Sequence, residues 1–87
     1  MRLFERTQGQ LHEMLRKNKV KYVGATENRK ERATAHARTF PGRDMYFAPT
    51  QNMKNAEQQL IDACPKCLNI QRRSNAPQEK GFVYIIY

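Results

Sequence analysis

The chain has 87 residues, the size of one small domain, and 39% of them are hydrophobic, enough for one modest core. Sixteen lysines and arginines against 8 acidic residues give a net charge of +8, which favours a polyanionic partner, nucleic acid before an anionic membrane. No apolar run approaches the length of a membrane span and no signal-peptide core follows Met1, so we expect a cytoplasmic protein without a membrane partner.

The first half of the chain predicts a helix, a strand and a second helix. Residues 2–17 have one apolar helix face, formed by Leu3, Phe4, Leu11, Met14 and Leu15. Residues 20–23 predict a short strand that ends at Gly24. Thr26 is a suitable N-cap for a helix that reaches about Arg38, because an acidic residue follows in the first turn.

The second half predicts two strands separated by a helix and a loop. Residues 44–49 read as a strand stopped by Pro49, and residues 53–64 as a helix that opens near Asn52. Residues 70–80 are polar and contain a proline, so they predict a loop. The chain closes with "GFVYIIY", residues 81–87, whose β-branched and aromatic composition is typical of a strand. We therefore expect an α+β domain with a three-stranded antiparallel sheet flanked by helices.

Two polar side chains of the second helix could act on a phosphate. Arg32 and His36 are four residues apart and so share one helix face. Arginine suits bidentate contact with phosphate oxygens, and histidine can donate a hydrogen bond or move a proton. Taken alone, the pair fits a solvated helix face with a neutral histidine better than a phosphate site.

A carboxylate lies on the apolar stripe of the third helix. Glu57 precedes Leu60 and Ile61 by three and four residues. A buried carboxylate is costly unless it is paired or binds a cation, whereas a carboxylate in a first turn reaches solvent and is favoured by the helix dipole. The sequence leaves both interpretations open.

These separate signals match a known motif. The stretch "YVGATENRKERATAHAR" resembles the second half of the GIY-YIG endonuclease motif, in which an arginine follows the tyrosine of a YIG-like triplet by ten residues and a histidine often follows four later. Tyr22, Arg32 and His36 have that spacing. The stretch "AEQQLIDACPKCLN" resembles the later segment of the family, and its matching residues are Glu57, Leu60, Ile61, Pro65, Leu68 and Asn69.

The C-terminal strand resembles the missing GIY half, with Val83 and Tyr84 in the place of its Ile-Tyr pair. The order differs, because the GIY strand comes first in the family and last here. The resemblance is therefore to a circularly permuted GIY-YIG domain over residues 20–87, preceded by an extra N-terminal helix within residues 1–19. An extended loop over residues 70–80 spans ~35 Å, enough to return the chain across a small sheet.

The resemblance implies a metal-dependent endonuclease that hydrolyses phosphodiester bonds in DNA. It implies that Glu57 binds Mg²⁺ or Mn²⁺, that Arg32 stabilises charge on the phosphate, and that Tyr22 and Tyr84 flank the attacking water. It assigns His36 an assisting hydrogen bond and Asn69 a role in local geometry. Arg32 and the metal are expected to lower the pKa of a tyrosine base, though which tyrosine acts stays open.

The basic residues outside the motif are candidates for DNA contacts. They are Lys17, Lys19, Lys21, Arg29, Lys30, Arg72 and Arg73. The size and lack of a further recognition domain suit a phage or mobile-element nuclease, acting as a monomer or homodimer.

Two other functions compete with the nuclease. A catalytically inactive module of the same fold could bind DNA or inhibit a nuclease through its basic residues alone. A zinc-knuckle RNA binder is a third possibility, for which Cys64 and Cys67 in "CPKC" supply only two of the four ligands.

Overall fold

The computed structural model describes residues 1–17, 19–64 and 73–87. Within these residues the chain forms four strands and three helices. In chain order they are β1 (Leu3–Glu5), α1 (Gln8–Leu15), β2 (Tyr22–Thr26), α2 (Arg29–Thr39), β3 (Met45–Thr50), α3 (Met53–Ala63) and β4 (Gly81–Ile86). The α+β class predicted from the sequence is confirmed.

The C-terminal strand β4 lies inside the sheet, whose strand order is β1-β3-β4-β2. It pairs antiparallel with β3 on one side and with β2 on the other, so that Tyr84 lies opposite both Phe47 and Gly24. The expected pairing between the terminal strand and the strand of Tyr22 is therefore present. It joins two distant parts of the sequence within one chain.

The side chains of β4 alternate between two hydrophobic clusters, as its sequence predicts. Val83 and Ile85 pack on the face that α1 and α3 cover, with Leu11, Leu60 and Ile61. Tyr84 and Ile86 pack on the opposite face, and the other members of that cluster are Ala33, Met45 and Phe47. The last four residues of β4, residues 83–86, are at most 2% exposed.

The expected three-stranded antiparallel sheet is wrong in number and direction, because β1 adds a fourth strand parallel to β3. The expected helix over residues 2–17 is likewise divided into β1 and a shorter α1. The helix begins late because Thr7 caps it: the Thr7 hydroxyl accepts from the backbone of Gln10, and the Gln10 side chain accepts from the backbone of Thr7. Residues before this capping box are free to pair with β3.

Two strand ends also differ from the prediction. Gly24 lies in the middle of β2 instead of ending it. Pro49 lies inside β3, where the backbone of Phe47 accepts a hydrogen bond from Arg6 at the end of β1. Alternate residues of a strand direct their backbone groups to the same side, so Pro49, like Phe47, faces the β1 side of the sheet. Position 49 lies past the last residue of β1, so the missing N–H of Pro49 costs no hydrogen bond between the two strands.

The two later helices start at asparagine caps. Asn28, rather than the expected Thr26, caps α2 by accepting from the backbone of Glu31 at 3.1 Å. Asn52 caps α3, as predicted. Residues 73–80 contain no helix or strand, in agreement with the predicted loop, whose first residues lie outside the described part of the chain. No helix of the described residues is long and apolar enough to cross a membrane.

Deletion of residues 81–87 should unfold the protein, because β4 is the only strand among the described residues that pairs with β2. We expect loss of the cooperative thermal transition and of near-ultraviolet circular dichroism. Deletion of Tyr87 alone removes its two backbone hydrogen bonds with Asp44 but keeps every residue of β4, so it is the control. A truncated protein that melts cooperatively near the wild-type temperature would contradict this view of the fold.

Candidate active site

Four elements bring the predicted site residues together. Tyr22 comes from β2, Arg32 and His36 from α2, Glu57 from α3 and Tyr84 from β4. Tyr22, Arg32, Glu57 and Tyr84 line one cavity of about 680 Å³, together with residues 26–28 at the start of α2 and 75–77 of the loop before β4. His36 joins the site through a hydrogen bond to Tyr84.

The hydrogen bond between His36 and Tyr84 ties α2 to the sheet. His36 Nε2 lies 2.7 Å from the Tyr84 hydroxyl oxygen. The Tyr22 ring meets the imidazole edge-on, with centroids 4.8 Å apart, and fixes its plane. One turn earlier on the same helix face, the small side chain of Ala33 is buried against the sheet and lets α2 approach closely.

Gly24 makes room for the Tyr84 side chain. Gly24 and Tyr84 are directly paired across β2 and β4. A Cβ atom at position 24 would come within 2.9 Å of Tyr84 Cε1 and closer still to the hydroxyl end of the ring. Because the Tyr84 ring is buried and bonded to His36, a larger residue at position 24 would displace it at the cost of that packing and hydrogen bond.

Burial sets the proton affinities of the Tyr84 and His36 pair. It raises the pKa of Tyr84 well above its ordinary value; the charge of Tyr22 adds to this, and the Arg32 guanidinium opposes it. Burial also lowers the pKa of His36 from 6.5, and the Arg32 charge lowers it further. The expectation that Arg32 lowers the pKa of a site tyrosine is right in sign for Tyr84, but burial outweighs it. At neutral pH Tyr84 is a phenol and His36 a neutral imidazole.

Glu57 is a half-buried carboxylate held by the loop before β4. The Ser74 hydroxyl donates to Glu57 Oε1. Burial raises the pKa of Glu57, and this hydrogen bond from Ser74 opposes the rise. Within the described residues, the second oxygen of Glu57 has no hydrogen-bond or ion-pair partner, and the side chain borders the cavity.

The residues present fit a hydrated divalent cation. Mg²⁺ keeps several waters and is often bound through only one or two carboxylates, with substrate phosphates completing its shell. Glu57 offers one such oxygen on a cavity with room for waters. No group of three or more histidine, cysteine or acidic side chains among the described residues could enclose an ion without waters.

Arg32 is exposed at the cavity. It makes no ion pair with any described residue, and the two ion pairs of the described chain are those of Arg2 with Asp44 and of Arg16 with Glu13. An unpaired guanidinium on a cavity that a carboxylate and two tyrosines also line is available to an anionic ligand.

The basic residues proposed for DNA contacts occupy different parts of the surface. Lys17, Lys19 and Lys30 are exposed, Lys21 is half-buried just before β2, and Arg73 is exposed beside the loop segment that borders the cavity. The Arg29 guanidinium instead lies over the rings of Phe47 and Phe82, at 5.0 and 4.7 Å from their centroids. Asn69 and Arg72, assigned to the site and to DNA from the sequence, lie outside the described residues.

Ser74 and Gly24 are the site residues that the sequence did not identify. Ser74 lies in a polar stretch that predicts only a loop, and no local pattern distinguishes it from its neighbours. Gly24 had a signal, because it is the glycine of the "YVG" triplet, but it also fits the end of a strand.

Comparison of the chain with protein-family models, curated proteins and solved structures finds no significant match.

The imidazole of His36 should titrate below pH 6.5 in the folded protein, and Arg32→Ala should raise the midpoint by removing the nearby positive charge. Because the unfolded chain takes up this proton first, the contribution of His36 to stability is complete above pH 6.5. It is lost as the pH falls from 6.5 through the lowered pKa. NMR titration of the ring protons measures the midpoint, with Lys30→Ala on the same helix as control. A midpoint at or above 6.5 would contradict the buried geometry.

Proposed function

We propose that this protein is a metal-dependent endonuclease that hydrolyses phosphodiester bonds in DNA through a permuted GIY-YIG-like site. The observation that carries the proposal is the convergence of Tyr22, Arg32, Glu57 and Tyr84 on one cavity, with His36 bonded to Tyr84. These residues come from four elements and were selected from the sequence by helix-face position and by their places in the motif. Their convergence on one cavity supports the proposal.

The sheet topology supports the same proposal. The resemblance requires the strand of Tyr84 to lie antiparallel beside the strand of Tyr22, although the two are far apart in the sequence. That pairing exists between β2 and β4. A circular permutation preserves such contacts while it changes the order of the elements, so the late position of β4 is compatible with the motif.

On this proposal the scissile phosphate occupies the cavity between α2 and α3. The Arg32 guanidinium binds its non-bridging oxygens and stabilises the charge that develops on them in the transition state. Glu57 holds Mg²⁺ or Mn²⁺ through its unpaired oxygen and waters. When bound, the cation supplies Lewis-acid stabilisation of the phosphate and the leaving oxygen.

Tyr84 and His36 together form the base. A phenol with a raised pKa is a poor base alone, but its hydroxyl proton can pass to His36 Nε2 over the existing 2.7 Å hydrogen bond. In the same step the phenol oxygen accepts a proton from the attacking water, so no free phenolate accumulates. This requires the His36 tautomer protonated on Nδ1. The Tyr22 hydroxyl is left to orient the water.

The net charge favours a nucleic-acid substrate, and the resemblance to GIY-YIG endonucleases favours DNA. The exposed lysines at 17, 19 and 30 and Arg73 supply sequence-independent contacts to the backbone. Lys17 and Lys19 lie just before β2, whose first residue is Tyr22 of the cavity. A duplex that reaches from this turn to the cavity would place a phosphate beside Arg32.

Purified protein should convert supercoiled plasmid to nicked or linear DNA only when Mg²⁺ or Mn²⁺ is present. Glu57→Gln should abolish cleavage while DNA binding is kept, because the amide preserves the hydrogen-bonding shape but not the charge. Gel electrophoresis of the plasmid and a fluorescence binding assay measure the two properties. Glu79→Gln, an exposed acidic residue outside the cavity lining, is the control.

Cleavage by Glu57→Gln at the wild-type rate would show that the metal assignment is wrong. Salt-dependent DNA binding by the wild type without any cleavage would favour the alternative of a catalytically inactive binding module.

Tyr84→Phe and His36→Ala should each lower the cleavage rate by ~10²-fold or more, the scale of general base catalysis. Because the two side chains form one proton path, the double variant should be no slower than the slower single variant. Single-turnover rates, with folding checked by circular dichroism, provide the measurement. Multiplicative losses for Tyr84 and His36 would mean that they act independently.

A further inference from the structure

The loop before β4 carries a buried serine. Ser74 is only 5% exposed, and apart from the tyrosine hydroxyl of Tyr84 it is the one buried polar side chain among the described residues. A buried hydroxyl requires partners, and Ser74 has three connections. Its hydroxyl donates to Glu57, the same hydroxyl accepts from the backbone N–H of Ala76 at 3.1 Å, and its backbone N–H donates to Gln58 Oε1 at 2.7 Å.

These connections determine the direction of the hydroxyl proton. Because Ala76 can only donate, it occupies a lone pair of the Ser74 oxygen and leaves the proton for Glu57 Oε1. The bond from the Ser74 backbone to Gln58 fixes the residue against the same turn of α3 that carries Glu57. The carboxylate therefore has one oxygen held from the loop side and the other directed to no described residue.

The loop is fastened to α3 at two more points. The backbone N–H of Lys54 donates to Pro77 and that of Met53 donates to Glu79, so the loop carbonyls satisfy first-turn donors of the helix. Residues 75–77 also line the cavity that Arg32 and Glu57 border. Glu57, its hydroxyl partner and these lining residues are consequently parts of one connected unit.

We propose that Ser74 is a positioning residue that orients Glu57 for binding a divalent cation, an inference that rests on the function proposed above. A single carboxylate that binds a cation mostly through waters must hold its free oxygen in one place, and a hydrogen bond to its other oxygen does this. Ser74 does not itself line the cavity. It restricts rotation of the Glu57 carboxylate about its last side-chain bond.

A purely structural role would also explain a serine that ties a loop to a helix, so the test measures cation affinity directly. Mn²⁺ binding to the full chain is followed by isothermal titration calorimetry and electron paramagnetic resonance, in the absence of DNA. Loss of a hydrogen bond to a ligating group typically weakens metal affinity by ~10–100-fold, and we expect a loss on this scale for Ser74→Ala. Ser74→Thr keeps the hydroxyl and should restore affinity close to the wild-type value.

Gln58→Ala is the matched control for loop attachment, because it removes the acceptor of the Ser74 backbone N–H and leaves the hydroxyl in place. A smaller loss of Mn²⁺ affinity in Gln58→Ala than in Ser74→Ala supports positioning by the hydroxyl. Equal losses in the two variants would overturn it. If Ser74→Ala fails to fold, Ser74→Cys takes its place, because the thiol is close to the hydroxyl in size and is a weaker hydrogen-bond donor. Its Mn²⁺ affinity is then compared with that of Gln58→Ala in the same way.

The experiment separates this inference from the proposed function. Wild-type protein that binds Mn²⁺ and cleaves plasmid, together with Ser74→Ala of unchanged affinity, would refute the role of Ser74 alone. Wild-type protein that neither binds Mn²⁺ nor cleaves would refute the proposed function and this inference together.

Discussion

The structure depends on the insertion of the last strand into the middle of the sheet. Within the described chain, β2 pairs with β4 alone, and β3 is joined to β2 only through β4. The alternating side chains of β4 enter both hydrophobic clusters, so this strand also connects the two faces of the domain. Neither hydrophobic cluster is complete until the residues of β4 have paired. The sheet therefore forms through contacts between residues that are far apart in the sequence.

The register of this pairing also creates the candidate site. With Tyr84 opposite Gly24, the phenol crosses β2 at the one residue that has no side chain, and its hydroxyl reaches His36 on α2. The burial that makes β4 a good core strand raises the pKa of Tyr84, which works against the proposed role of this residue as a base. A neutral histidine at hydrogen-bond distance offsets this conflict, because it gives the phenol proton a destination.

Much of the fold could be predicted where local signals agree with the tertiary structure. Helix α3 and strand β4 combine clear periodicity with good boundary residues, and both were predicted within a residue or two. Strand β1 was missed because Leu3 and Phe4 continue the apolar spacing of the helix after them, and three residues carry too little alternation to reveal a strand. Its existence depends on pairing with β3, which no local pattern contains.

The site could be predicted only where the motif supplied long-range information. Spacing selected Tyr22, Arg32 and His36, but nothing in residues 73–80 revealed that Ser74 would meet Glu57. That contact arises because the segment that returns the chain to β4 must pass the start of α3, where unpaired backbone donors attract its carbonyls. The segment that leads into β4 therefore also holds the carboxylate of Glu57. A change that shifts β4 should accordingly shift this carboxylate as well, and the reverse.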